Sequence, residues 1–313
     1  MPQTSFSKKH GMPAVLLAYT MWGILPLYWK LLNAIPSYEI ICHRILWSFL
    51  FSLALIALRH KTAAFVHALK NARTVITFLA TASLLGSNWL VYIWAVNNGY
   101  IIESSLGYFI NPLIAVIFGV LFLKEPLRPG QWASLSVALA GVLYLTFSYG
   151  HFPWIGLTLA VTFSLYSLLR KTASLHSLNG LTFETGLLTV PAAATLVFLA
   201  WHGKSHLFSQ GFSLTWLLIT SGPITALPLL FFVFGAQRIS MTAVGLLQYL
   251  APTLQFLIGL VLFNEPFPRA KLIGFCLIWL ALALYISENI YQRIWQKNNL
   301  KQKKAAAEKP AAA

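Results

Sequence analysis

His43, Arg44, Glu103 and Glu184 stand inside runs of this sequence that are otherwise apolar. A charge among hydrocarbon-like neighbours is costly, so each marks either a working group or one half of an ion pair. His43 and Arg44, in the stretch CHRILWSF, lie five or six residues past the start of their run, roughly 8 Å into it at 1.5 Å per residue. Glu103 begins a later run at a compatible depth, which allows an Arg44–Glu103 pair. The other reading has Arg44 stretching back to the surface. Amides and rings accompany these charges. Glu103, Gly107 and Asn111 are spaced i, i+4, i+8 along one helical stripe, with Tyr108 beside it. Ser83, Ser87, Trp94 and Asn98 share another face, flanked by Asn88 and Trp89, and Gln248, Pro252, Gln255 and Gly259 share a third. Such groups suit a site that holds a planar or amphipathic molecule by hydrogen bonds and stacking. The same residues also serve helix packing and interfacial belts, and both readings stand. The candidate substrate pathway is His43, Arg44, Asn88, Trp94, Asn98, Glu103, Tyr108, Asn111, Glu184, Gln248 and Gln255.

The elements that position these residues must lie in a bilayer. Charged residues make up 9% of the chain against about 25% in ordinary soluble domains, and the apolar fraction is 58%. A chain of this length could not hide so much apolar surface from water. The net charge of +15 is scattered over short connections and the C-terminal tail, so no nucleic acid partner is expected. Asp is absent, and Cys42 and Cys276 sit in apolar runs, as core residues do. No Gly-rich loop ending in GK[ST] and no HExxH pair occurs, and His43 alone supplies no catalytic base arrangement. The chain is therefore read as no enzyme, with no cofactor, its partners being the lipid bilayer and a small-molecule substrate. The run from Gly11 to Trp29 is too long for a signal core and is read as a retained first span.

Breaking the runs at charges, Pro and Gly predicts an all-α membrane protein of ten spans. They lie at about 13–30, 38–58, 75–96, 101–123, 130–149, 152–170, 180–200, 214–236, 242–263 and 271–290. Residues 1–11 form a cytoplasmic N-terminus and 291–313 a basic, solvated cytoplasmic tail. With the N-terminus inside, the inner segments hold 17 Lys and Arg and the outer segments four, which places both termini in the cytoplasm. A repeat then emerges at a shift of 140 residues: Pro112, Glu125 and Pro126 answer to Pro252, Glu265 and Pro266, and Arg44 answers to Glu184. Five spans per half is an odd number, so residues 152–290 must enter the membrane upside down relative to 12–149. Inverted halves with a midplane site are the architecture of many secondary transporters. Arg44 and Glu184 would then line opposite vestibules, unless each merely neutralises a neighbour. A non-transporting membrane scaffold or sensor is the alternative function, ahead of an intramembrane enzyme.

Several segments carry a resemblance to a known family: WGILPLYWK from Trp22 to Lys30, HRILWS from His43 to Ser48, NWLVYIWAVNNG from Asn88 to Gly99, SLGYFINPL from Ser105 to Leu113, and Gln248-Tyr249-Leu-Ala-Pro252-Thr253. Over about residues 12 to 290 the chain resembles the RarD family of the EamA-type drug/metabolite transporter superfamily. The resemblance implies a bacterial inner-membrane protein with ten helices in two inverted EamA repeats. It further implies movement of small molecules by alternating access, with a link to chloramphenicol sensitivity. The chain departs from the family's usual Gly-Glu ending of the fourth span, with Lys124-Glu125 there and Asn264-Glu265 in the second half.

Overall fold

Backbone polar groups surrounded by lipid must be satisfied within their own segment, and the chain meets this demand with helices. The computed structural model describes residues 10–59, 66, 70–98, 100–150, 152–209, 211–262 and 269–307. Among them run α1 (Gly11–Lys30), α2 (Ser37–Leu58), α3 (Ala72–Asn97), α4 (Ile101–Leu123), α5 (Pro129–Tyr149) and α6 (Trp154–Thr172). These are followed by α7 (Ser177–Trp201), α8 (Phe212–Ala236), α9 (Met241–Leu247), α10 (Leu250–Leu262) and α11 (Arg269–Ala307). Nine stretches among the described residues are long and apolar enough to cross a membrane. The span that falls short is α6, which buries Ser164, Ser167 and Arg170 against protein, where polar groups find partners.

Two features depart from the ten predicted spans. The ninth is broken into α9 and α10 at Gln248–Tyr249. Pro252 has no N–H to offer the Gln248 carbonyl four residues back, so the Ala251 N–H takes it at 3.1 Å and tightens the chain. The tail is also not a loose segment, since α11 continues through it to Ala307. Lys, Gln and Ala are strong helix formers, and neither Gly nor Pro interrupts the run from Phe275 to that point. Glu265 and Pro266, the second-half partners of Glu125 and Pro126, lie outside the described residues.

The chain divides into two compact units. One holds α5 and α11, where Ser134 Oγ donates to the Ala281 carbonyl at 2.7 Å. The other holds α1–α4 and α6–α10. Within it α1 and α8 are antiparallel: Gly11 meets Arg238, while the Tyr28 hydroxyl donates to the Leu217 carbonyl and lies 2.9 Å from Thr220 Oγ1. We call the end where α1 begins the near end and the other the far end. Starting from the far end are α2, α4, α6 and α8; α1, α3, α7 and the α9–α10 pair start from the near end. Each helix of α1–α4 thus runs opposite to its counterpart 140 residues on. The halves meet at a close crossing of α4 and α9. A Cβ on Gly245 would stand 2.7 Å from the Pro112 carbonyl, and Tyr249 donates to the carbonyl of Phe109, its own repeat equivalent, at 3.2 Å.

Candidate functional site

Arg44 lies in the far-end half of α2. Its Nε donates to Thr225 Oγ1 on α8 at 3.1 Å. Its guanidinium lies 4.6 Å from the Trp29 ring and 5.2 Å from the Trp89 ring, both within cation–π range. Tyr92 of α3 and Tyr108 of α4 lie near it, their rings 6.3 Å apart. This surrounding keeps its shape because α2 and α8 touch backbone to backbone. A Cβ on Gly222 would collide with Trp47, and Ser48 Oγ donates to the Gly222 carbonyl at 3.0 Å. Arg44 and Tyr92 are partly open and Tyr108 is 38% exposed, although all three sit deep among neighbouring helices. We call this partly open, ring-lined surrounding of Arg44 the cleft.

Towards the near end the cleft meets rings and then an ion pair. Trp22, Phe163 and Phe232 stand within 6.0 Å of one another, with Tyr19 and Tyr166 at their edge. Beyond them Glu184 is fully buried, with Oε1 3.3 Å from Arg170 Nε and Oε2 accepting from the Tyr166 hydroxyl at 3.3 Å. Arg170, also fully buried, donates through Nη2 to the Ser177 carbonyl and lies 5.0 Å from the Phe78 ring. Lys171 fastens the same end. Its Nζ donates to the Ala236 carbonyl at 2.9 Å and to that of Ile239, where a cation suits the C-terminus of α8. Glu125 completes the closure by accepting from the Met241 and Thr242 N–H groups at 2.6 and 2.9 Å and from Thr242 Oγ1 at 2.8 Å. A carboxylate there satisfies the donors that open α9.

The polar stripes of α3 and α4 have a different destination from the one expected. Glu103, 4% exposed, accepts from the Ile155 N–H at 2.8 Å and so caps α6. Gly107 lets α6 approach at Gly156, and Asn111 Oδ1 accepts from Ser164. Asn88 spends its amide on the Leu159 carbonyl and on Thr162 Oγ1, both at 2.9 Å. All four bind α6, and the anticipated Arg44–Glu103 pair does not form. Trp94, 43% exposed, stacks on Tyr100 and leans on Trp154, while Asn98 donates to the Trp94 carbonyl at the exposed end of its own helix. Gln255 donates to the Trp22 carbonyl at 3.2 Å, the very carbonyl that Pro26 leaves without its helical donor. Gln248 is buried at the α9–α10 break. His43 is 1% exposed, its ring nitrogens without a hydrogen bond and Nε2 3.8 Å from Glu39 Oε1. Of the eleven candidates, Arg44 and Tyr108 lie near each other towards the far end, and Glu184 is paired with Arg170 towards the near end.

Residues 9–147 match the EamA-like transporter family. Transporter YojE of Bacillus subtilis is 43% identical over 88% of this chain and 93% of its own. Protein RarD of Escherichia coli is 38% identical over 90% and 96%, and the chloramphenicol-sensitive protein RarD of Pseudomonas aeruginosa 32% over 88% and 92%. The chain belongs to the RarD family of EamA-type drug/metabolite transporters. It is accordingly a multi-pass membrane protein of a family made up of transporters. A solved crystal structure that is 18% identical shares the fold at a TM-score of 0.66, covering 88% of this chain and 97% of that one.

In this RarD-family chain the local pattern did not single out Arg170, Glu39 or His206. Arg170 falls at a predicted span end, where it reads as one more loop cation. The available signal was its position in the α6–α7 hairpin, two residues inside the end of α6 and opposite a carboxylate two turns into α7. Glu39 is fully buried, accepting from the His206 N–H at 2.7 Å and lying 2.6 Å from His206 Nδ1. His206 belongs to the connection after α7, which no periodicity ties to α2. Lys124 bears on the family's Gly-Glu pattern. It adopts φ 53°, the left-handed conformation that glycine takes at low cost, and lets the Glu125 N–H reach the Gly119 carbonyl.

Proposed function

We propose that this chain is a secondary transporter that carries small molecules by alternating access between its inverted halves, with the cleft at Arg44 as the loading site. The 17-to-four excess of Lys and Arg favours cytoplasmic termini in a bacterial inner membrane, so the near end faces the cytoplasm. One observation carries the reading: equivalent positions of the two halves hold a buried Glu184–Arg170 pair at one end and an open, aromatic-lined Arg44 at the other. This is the asymmetry of a carrier caught outward-open. The route inward passes the rings of Trp22, Phe163 and Phe232, and the Arg170–Glu184 pair must part for them to separate. Chloramphenicol, the compound in the name of the Pseudomonas aeruginosa relative, is the first solute to offer.

Thiol accessibility tests this. In a background without Cys42 and Cys276, Tyr108→Cys reacts with a membrane-impermeant maleimide added outside whole cells. Thr182→Cys, fully buried two residues before Glu184 on α7, reacts in neither right-side-out nor inverted vesicles. Adding Glu184→Gln exposes position 182 in inverted vesicles and protects position 108. Labelling that stays the same in both vesicle types, with no solute moved by proteoliposomes, would instead favour a scaffold or sensor.

A further inference from the structure

We propose that the Arg44 cleft recognises an organic anion with an aromatic body: the guanidinium takes its carboxylate and the surrounding rings take its planar part. This rests on the loading-site reading above and adds the chemical class of the load. The argument begins with a missing countercharge. Every carboxylate among the described residues is engaged elsewhere. Glu39 holds His206, Glu103 caps α6, Glu125 caps α9 and Glu184 pairs with Arg170. Glu288 belongs to the other unit and accepts from Gln292. Arg44 therefore keeps its charge with one neutral hydroxyl as a hydrogen-bond acceptor, Thr225. A guanidinium carries five N–H donors in a planar fork matched to a carboxylate, and among the described residues Thr225 is the one hydrogen-bond acceptor that Arg44 meets, with the Trp29 and Trp89 rings and the Tyr92 and Tyr108 side chains beside it. Within a span such a charge is expensive until an anion shares it.

The walls add the second half of the specificity. Trp29 and Trp89 lie within cation–π range of the guanidinium, and Tyr92 and Tyr108 stand near it with hydroxyls that can donate to an anion or accept from a polar edge. A small inorganic ion would leave those four rings without a partner, whereas a planar body attached to the carboxylate would stack among them. The cleft lacks the complementary feature for a cationic load, since no described carboxylate faces it.

A matched series tests the proposal on purified full-length protein in phosphatidylcholine nanodiscs, read by thermal shift and by equilibrium dialysis. The probes are 1-naphthoate, neutral 1-naphthamide, cationic 1-naphthylmethylamine, and cyclohexanecarboxylate as an anion without an aromatic ring. Naphthoate should bind at least tenfold more tightly than the other three. Arg44→Gln should lower naphthoate affinity at least tenfold while leaving that of naphthamide within twofold, and Arg44→Lys should fall between. Equal binding of naphthoate and naphthamide by the unaltered protein would overturn the proposal, and this needs no variant that folds. So would naphthoate binding that vanishes in phosphatidylglycerol nanodiscs, which would assign the cleft to a lipid headgroup. Transport into proteoliposomes is read separately. Naphthoate bound as expected but not moved would keep the anion site and sink the transport reading; naphthamide moved as fast as naphthoate would do the reverse.

Discussion

At the scale of single residues, Gln255 shows how a membrane helix tolerates proline. Pro26 removes the donor for the Trp22 carbonyl, and the Gln255 amide crosses from α10 to replace it. Gln255→Leu should therefore lower stability by about 1 kcal/mol, since an orphaned carbonyl in a span loses its bond with no water to replace it. Pro26→Ala in the same chain restores an N–H in α1 and should erase most of that loss. Melting of the two single variants and the double variant in detergent gives the coupling, and additive effects would contradict the pairing. The Gln248, Pro252, Gln255 spacing was legible as a polar stripe, but the task of each member was not. The side chain that answers a proline lies 229 positions away from it, a distance no local pattern spans. Arg170 was obscured for a related reason. A cation two residues from a helix end is usually solvated, and only the fold shows that this one turns inward to Glu184.

At the scale of helices, the end of α4 joins the halves. Lys124 holds a left-handed backbone conformation, and Glu125 behind it gathers the first donors of α9. Lys124→Gly should raise stability by about 0.5–1 kcal/mol, because glycine takes positive φ without a Cβ penalty. Glu125→Gln should lower it by about 1–2 kcal/mol, as the charge at the α9 N-terminus and part of the acceptor set are lost. Thermal melts of both variants decide this, and a stabilised Glu125→Gln protein would contradict the capping role. Span positions were legible to within about three residues for most helices, because lipid imposes length and apolarity directly on sequence. The break at Gln248 was less so. Pro112 and Pro252 are repeat equivalents, yet α4 runs through the first and the chain parts before the second. The Glu103, Gly107, Asn111 stripe was correctly placed on one face, but spacing cannot tell a face that holds α6 from one that lines a cleft.

At the scale of the whole molecule, the two halves place different charges on the same scaffold. Position 170 is arginine and 184 glutamate, a buried pair of opposite charge at the near end; their equivalents 30 and 44 are lysine and arginine, both cations. Glu184→Arg would repeat the first half's sign pattern at the near end. It should shift labelling at position 182 from protected to reactive in inverted vesicles, at a cost of several kcal/mol for the broken buried pair. Unchanged protection would show that the rings, not the pair, close that end.

Arg44, without a countercharge among the described residues, also has an electrical consequence. If the chain carries an anion as proposed, a carrier with an empty cleft turns over with a net positive charge in the membrane field, while one carrying a monovalent anion turns over near neutrality. Voltage then acts on the unloaded return rather than on the loaded stroke, by up to about 2.3 kcal/mol for each 100 mV if the charge crosses the whole field. With the interior negative, empty carriers gather facing inward, where export loads them, so net export should speed up and net import slow as valinomycin-clamped potassium gradients deepen the potential, whereas one-for-one exchange should be indifferent to it.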